Sequence, residues 1–178
     1  MEKKTLREID LKKCIRDVPN FPKEGIIFKD ITTLLKERGA FKKAIDLLAG
    51  KFRKQNIDYV IGIEARGFIF GAALAYKLKA GFVPVRKKGK LPSKTRSVTY
   101  QLEYGSDTLE IHDDAIPPKS RVLIVDDVLA TGGTVRAVVD LVQSHKAVIA
   151  GVAFLMELEF LKGKNKLKDL PVYSILKY

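Results

Sequence analysis

Val122-Leu123-Ile124-Val125-Asp126-Asp127-Val128-Leu129-Ala130-Thr131-Gly132-Gly133-Thr134 is the stretch whose reading decides the fold. Its opening run of consecutive β-favouring apolar residues, 122–125, predicts a strand buried on both faces, as in a parallel sheet. Asp126 and Asp127 end that strand. A turn of small residues, Ala130, Thr131, Gly132, Gly133 and Thr134, then leads into Val135, Val138, Val139 and Val142, which are spaced to share one face of a helix. Glycines let the backbone aim its N–H groups at one point, a helix N-terminus adds partial positive charge, and the threonines supply hydroxyl donors. Such a turn cradles a phosphate monoester. The two acids stand where open α/β sheets bind ligands and can accept hydrogen bonds from sugar hydroxyls. Phosphate beside a diol points to a ribose 5-phosphate. A glycine turn between strand and helix is often only a connection; the adjacent acids are what sharpen the signal. The turn has neither the G-x-x-x-x-G-K-[ST] of a triphosphate loop nor the G-x-G-x-x-G of a dinucleotide fold, which counts against both mechanisms.

At 178 residues the chain fits one domain with a sizeable core, and its 46% hydrophobic and 30% charged content is that of a globular protein. No apolar run approaches the ~20 residues that span a bilayer. The charged N-terminus shows no secretory signal, and with the single Cys14 this predicts a reducing, cytoplasmic setting. Cys14 reads as a packed thiol rather than a nucleophile, since no activating partner is visible. His112 and His145 lack metal-ligand spacing, so no protein-held transition metal is expected. The excess of 33 basic over 21 acidic residues, a formal +12, suits nucleic acid or a small polyanionic substrate. The lysines are scattered with no basic-aromatic pattern, and nucleic acid is not expected as a partner.

Along the chain, Leu6, Ile9, Leu11, Lys13 and Ile15 predict a short helix over residues 5–16. Residues 17–31, broken by Pro19, Pro22 and Gly25, read as an extended loop. Phe41, Ala44, Ile45, Leu48, Ala49 and Phe52 follow one helix face. A second strand–turn–helix unit comprises residues 59–63, the turn Glu64, Ala65, Arg66 and Gly67, and a helix expected to bury Ile69, Ala72, Ala73 and Tyr76. Arg66 in that turn suits bidentate contact with phosphate oxygens, although an arginine in a surface loop is usually just solvated. Residues 81–86 read as a strand, and the basic, Gly- and Pro-broken residues 87–97 as a mobile loop. Residues 98–104 and 108–112 alternate like a hairpin around Gly105, Ser106 and Asp107. Residues 148–156 form one more buried strand and 171–176 a final edge strand. Strand–helix alternation over residues 40–156 predicts an α/β fold: a twisted, mainly parallel sheet with helices on both faces and right-handed crossovers.

Residues 122–134 closely resemble the phosphoribosyl-diphosphate motif of the type I phosphoribosyltransferases, and residues 15–178 as a whole resemble the adenine-using members of that family. The resemblance implies a single domain over residues 1–178, with a small N-terminal hood (about 1–33) and a core (about 34–178). It implies transfer of the 5-phosphoribosyl group from phosphoribosyl diphosphate to adenine in purine salvage, giving AMP and diphosphate. In the family Ile27 and Lys29 match positions whose main chain meets the adenine edge, Phe28 helps enclose the ring, and Val128 caps one face of the base. Ala130, Thr131, Gly132, Gly133 and Thr134 match the 5-phosphate loop, and Asp126 and Asp127 the ribose contacts. Ala65, Arg66, Lys87 and Lys90 match the diphosphate site, with the basic loop closing over it. Glu103, in Glu103-Tyr104-Gly105, matches a residue proposed to handle the proton at adenine N7; the alternative is an ordinary ion-paired strand glutamate. Mg²⁺ is implied as held mainly by substrate, and a homodimer is implied. The alternatives are a phosphoribosyltransferase for xanthine or a 6-oxopurine, and a non-enzymatic, nucleic-acid-binding sensor of phosphoribosyl diphosphate.

Overall fold

The computed structural model describes residues 9–101 and 105–178. Contacts divide the chain into two units, with the boundary between Leu47 and Leu48.

In the first unit a 3-10 turn, Lys12–Cys14, precedes strand β1 (Arg16–Pro19), which pairs antiparallel with β2 (Ile27–Asp30). The expected helix over residues 5–16 is not found in its described part. The Asp10 carboxylate accepts the Lys12 N–H at 3.0 Å and so favours a local turn, and Arg16 is already committed to the ladder. Residues 17–31 are likewise not loop alone, because their two ends form the ribbon. Asp30 organises the exit from it. Its carboxylate accepts from Arg16 Nη2 at 2.5 Å and from the Thr32 N–H at 2.9 Å, and the Arg16 bond leads the effects that lower its pKa to about 2. The short helix α1 (Thr32–Lys36) follows, then α2 (Arg38–Phe52), within which the unit boundary falls. Ala44, Ile45, Leu48, Ala49 and Phe52 are all buried, as their spacing predicts.

The second unit is built on a seven-stranded sheet. Strand β3 (Tyr59–Ile63) is followed by α3 (Gly67–Leu78) and β4 (Gly81–Lys87), and then by the antiparallel pair β5 (Thr95–Gln101) and β6 (Ser106–His112). Strand β7 (Arg121–Leu129), helix α4 (Gly133–Gln143), β8 (Val148–Glu157) and the edge strand β9 (Val172–Lys177) complete it. The order is β5-β6-β4-β3-β7-β8-β9, and β4, β3, β7, β8 and β9 are parallel. From β3 the chain steps one way along the sheet and from β7 the other. The two crossovers run in opposite directions and put α3 and α4 on opposite faces: Gly71 of α3 packs on Gly62, whereas Val135, Val138 and Val142 of α4 cluster with Ile61 and Ile63, and the strand order reverses between β3 and β7. The predicted α/β class, mainly parallel sheet and two-sided helix cover are all present. β7 runs further than its apolar core, so Asp126 and Asp127 lie within the strand near its carboxyl end rather than after it.

One helix face is corrected. α3 buries Gly67, Phe70, Gly71, Leu74 and Ala75, whereas Ile69 is 41% and Tyr76 88% exposed and Ala72 is exposed. The helix is apolar almost all round, so its periodicity does not choose a face; close approach does. A Cβ on Gly71 would stand 2.8 Å from the Phe82 ring and 3.3 Å from Gly62 Cα, so only a glycine face can lie this close to β3 and β4. Among the described residues no helix is long and apolar enough to cross a membrane.

Leu74→Ala should therefore cost about 2–5 kcal/mol in urea unfolding and Ala72→Ser less than about 0.5 kcal/mol. Equal costs would restore the face read from spacing.

Candidate functional site

The strand order reverses between β3 and β7, the kind of place where open α/β sheets bind ligands, and each of these two strands delivers a strand-to-helix turn at its carboxyl end. Residues 64–67 follow β3 and residues 130–132 follow β7. Gly67 is needed for the two ends to approach, since a Cβ there would meet Asp126 Oδ1 at 2.9 Å and the Val125 carbonyl oxygen at 3.0 Å. Across this junction Arg66 Nε lies 2.6 Å from Asp127 Oδ2. The peptide between Glu64 and Ala65 is cis. The sequence-predicted Ala65, Arg66, Asp126 and Asp127 are thus brought together.

Both acids are electrostatically costly where they stand. Burial first, and then the adjacent Asp127 carboxylate, hold the Asp126 carboxyl well above the ordinary carboxylate range. Burial also raises Asp127, against the opposing pull of Arg66. Within the pair the Asp127 N–H donates to Asp126 Oδ1 at 2.9 Å. A polyol offering hydroxyl donors, or a hard cation, would relieve this crowding.

The 130–134 turn has the geometry of an anion cradle. Gly132 takes φ +76°, a left-handed conformation that side chains disfavour, and precedes α4 without a side-chain cap. No acid occupies the first turn of α4, so the helix N-terminal N–H groups and dipole are left for an external anion. Thr134 Oγ1 is 3.5 Å from the Tyr100 hydroxyl. The backing of this turn was missed by the sequence reading. A Cβ on Gly163 would clash with the Ala130 carbonyl and stand 2.9 Å from the Gly132 nitrogen, so the 3-10 segment Gly163–Leu167 packs its backbone directly on the cradle. Lys166 Nζ from that segment comes within 3.8 Å of the place a Gly133 Cβ would occupy. Nothing in the sequence spacing of residues 162–167 marks which turn they meet.

The basic segment after β4 is anchored by carboxylates. Lys87 Nζ pairs with Asp107 at 3.0 Å and Lys90 Nζ with Glu64 at 2.5 Å. The Asp107 hydrogen bond raises the Lys87 pKa, and the same bond lowers that of Asp107. Glu103 lies outside the described residues. Ile27, Phe28 and Lys29 belong to β2 in the first unit, where the Phe28 and Phe21 rings meet edge to face at 5.2 Å. Val128 is half-buried near the end of β7. Among the described residues no group of three or more His, Cys, Asp or Glu is placed to hold a metal ion.

The open α/β sheet carries two strand-to-helix turns and a carboxylate pair at its strand reversal, and residues 30–176 match the family model for the phosphoribosyl transferase domain, which places the chain in the phosphoribosyltransferase class. Adenine phosphoribosyltransferase of Acidobacterium capsulatum is 62% identical over 168 residues, covering 94% of this chain and 93% of the relative. The crystal structure of the Thermoanaerobacter pseudethanolicus adenine phosphoribosyltransferase superposes with a TM-score of 0.92 at 51% identity, covering 98% of this chain and all of that one. That of Saccharomyces cerevisiae, solved with adenine and an imino-altritol bisphosphate, gives 0.88 at 47% identity, with 95% and 97% covered. The chain belongs to the adenine phosphoribosyltransferase family.

Asp126→Asn should make the protein more stable at neutral pH. A carboxyl whose folded pKa is raised costs stability as pH climbs above its unfolded value near 3.9, because the unfolded chain then gives up the proton and the folded one does not. The expected gain in Tm is about 2–4 °C at pH 7, the shift for about 1 kcal/mol in a domain of this size, and it should vanish below about pH 4. A gain that grows on acidification would contradict the assignment.

Proposed function

We propose that this enzyme transfers the 5-phosphoribosyl group of phosphoribosyl diphosphate to adenine, releasing AMP and diphosphate, as a step of purine salvage. The observation that carries the reading is the pair of anion-accepting turns at neighbouring strand ends with two carboxylates between them. One substrate with a phosphate at one end, a diphosphate at the other and a diol in the middle matches that pattern.

In this reading Ala130, Thr131, Gly132, Gly133 and Thr134 hold the 5-phosphate, and Asp126 and Asp127 orient the ribose hydroxyls. Ala65, Arg66, Lys87 and Lys90 hold the diphosphate. Adenine N9 attacks C1 as the C1–diphosphate bond breaks, through a transition state of oxocarbenium character as in glycosyl transfer generally. The charge to be stabilised grows on the departing diphosphate, so the cations of the Arg66 turn and the basic segment act where they are worth most. The hard-oxygen pair Asp126 and Asp127 fits Mg²⁺ shared with substrate oxygens, the usual mode for an ion that keeps several waters and takes one or two carboxylates. When bound, that ion neutralises part of the diphosphate charge.

Base recognition falls to main-chain groups of Ile27 and Lys29, to the Phe28 ring and to Val128. Pro19 stands opposite Ile27 in the ribbon and has no N–H to exchange. This favours ladder bonds at the alternate pairs and leaves the Ile27 and Lys29 groups for the open edge, where a C=O and an N–H match the donor–acceptor edge of adenine. Glu103 is assigned to the proton at N7. A homodimer in the cytoplasm completes the reading; exposed Ile69 and Tyr76 on α3 are apolar surface that fits a second copy.

The decisive experiment is a panel of adenine, hypoxanthine, guanine and xanthine with phosphoribosyl diphosphate and Mg²⁺, read by product mass; AMP alone is expected. Arg66→Ala should weaken diphosphate inhibition far more than AMP binding, and Thr134→Ala the reverse, each by about ten- to a hundredfold for a contact of roughly 1.5–3 kcal/mol. Equal effects of both variants on both ligands would sink the assignment of the two turns. Glu103→Gln should slow single-turnover AMP formation with little change in phosphoribosyl diphosphate affinity. An unchanged single-turnover rate would remove Glu103 from the mechanism.

A further inference from the structure

Glu64 has no task in the reading above, yet it is a carboxylate placed among groups assigned to an anion. Its side chain is only 9% exposed. Lys90 Nζ donates to Oε1 at 2.5 Å, the Lys87 N–H donates to Oε2 at 2.9 Å, and Arg86 Nε stands 3.4 Å from Oε2. Burial pushes the Glu64 carboxyl up, but the Lys90 hydrogen bond and the Lys87 N–H bring it below its ordinary range, so it is ionised at neutral pH.

The same turn is held at other points. The Gly89 N–H donates to Glu110 Oε2 at 3.0 Å, and Arg86 Nη1 donates to the Lys90 carbonyl at 3.0 Å. Gly89 takes φ +78°, which lets the chain reverse between Lys87 and Lys90. Glu64 also directly precedes Ala65 and Arg66. One buried side chain thus joins the turn after β3 to the basic segment after β4.

A carboxylate here repels an incoming diphosphate, so its place needs a compensating effect. Arg86 and Lys90 together outweigh it in charge and leave the cluster cationic. Lys90 is 47% exposed, and an ammonium has three donors, so it can keep Glu64 and still offer N–H groups to a second anion. A lysine on a flexible stem otherwise loses much rotamer freedom when it binds. With Glu64 present that ordering has already taken place.

We infer that Glu64 is a positioning residue for the diphosphate end of the substrate, fixing Lys90 and the main chain at Lys87 beside the Arg66 turn before the anion arrives. The inference rests on the assignment of residues 64–67 and 87–90 to diphosphate. In Glu64→Gln the amide oxygen can still accept from the Lys87 N–H but has no charge to hold Lys90. The KM for phosphoribosyl diphosphate and the inhibition constant for diphosphate should rise about tenfold, the loss of one charge-assisted contact. The AMP dissociation constant should stay within about twofold, and Glu64→Asp should recover part of the loss. In a Lys90→Ala background, Glu64→Gln should add less than about twofold, because the two side chains act as one unit. Loss of AMP affinity equal to that of diphosphate, full additivity with Lys90→Ala, or unchanged diphosphate constants would each overturn the inference. Wild-type protein that diphosphate fails to inhibit would instead overturn the functional assignment beneath it.

Discussion

The structure depends on bringing two adjacent carboxylates and an arginine to the carboxyl ends of neighbouring parallel strands. Asp126 and Asp127 can be held there only because Gly67 leaves room for Asp126 at the start of α3 and because Arg66 reaches Asp127 from the same turn. Burying two adjacent acids is costly, and burial with the neighbouring Asp127 carboxylate holds the Asp126 carboxyl well above the ordinary range. The arrangement is tolerated because the sheet around it is fixed by fully buried apolar strands, with Ile61, Val85, Ile124 and Phe154 all buried. The acids are thus an electrostatically costly polar centre set in an apolar frame.

The topology explains why the polar groups converge at this place. With the order reversing between β3 and β7, α3 and α4 leave these strand ends on opposite faces of the sheet. Their N-terminal turns therefore separate instead of competing for the same space. One carries Arg66, a guanidinium whose Nε lies 2.6 Å from Asp127. The other offers only N–H groups and hydroxyls, donors that suit an anion at a helix N-terminus. Supporting segments reinforce each turn: Glu64 ties the first to the basic loop, and the backbone of Gly163 lies against the second.

Much of this was legible in the sequence because it is local. The apolar run at 122–125, the following acids and the small-residue turn specify strand, carboxylates and cradle within one short segment, and the unit at 59–67 repeats the same grammar. The α/β class and the parallel sheet followed from alternation alone; the family came from the resemblance carried by residues 122–134. The first helix did not follow, because Asp10 and Arg16 make short-range and cross-strand contacts that compete with a weak helical spacing.

What the sequence by itself determined, then, is which residue types meet at each strand end, since adjacency in the chain enforces it. Tertiary structure decided which face of α3 is buried, because a helix apolar almost all round carries little periodic preference and only the glycine at 71 can approach Phe82 and Gly62. It also decided that Gly163 and Lys166 stand against the 130–134 turn and that Glu64 holds Lys90. These pairings join positions 26 or more residues apart, and such contacts are fixed by packing of the whole sheet, which no local spacing records.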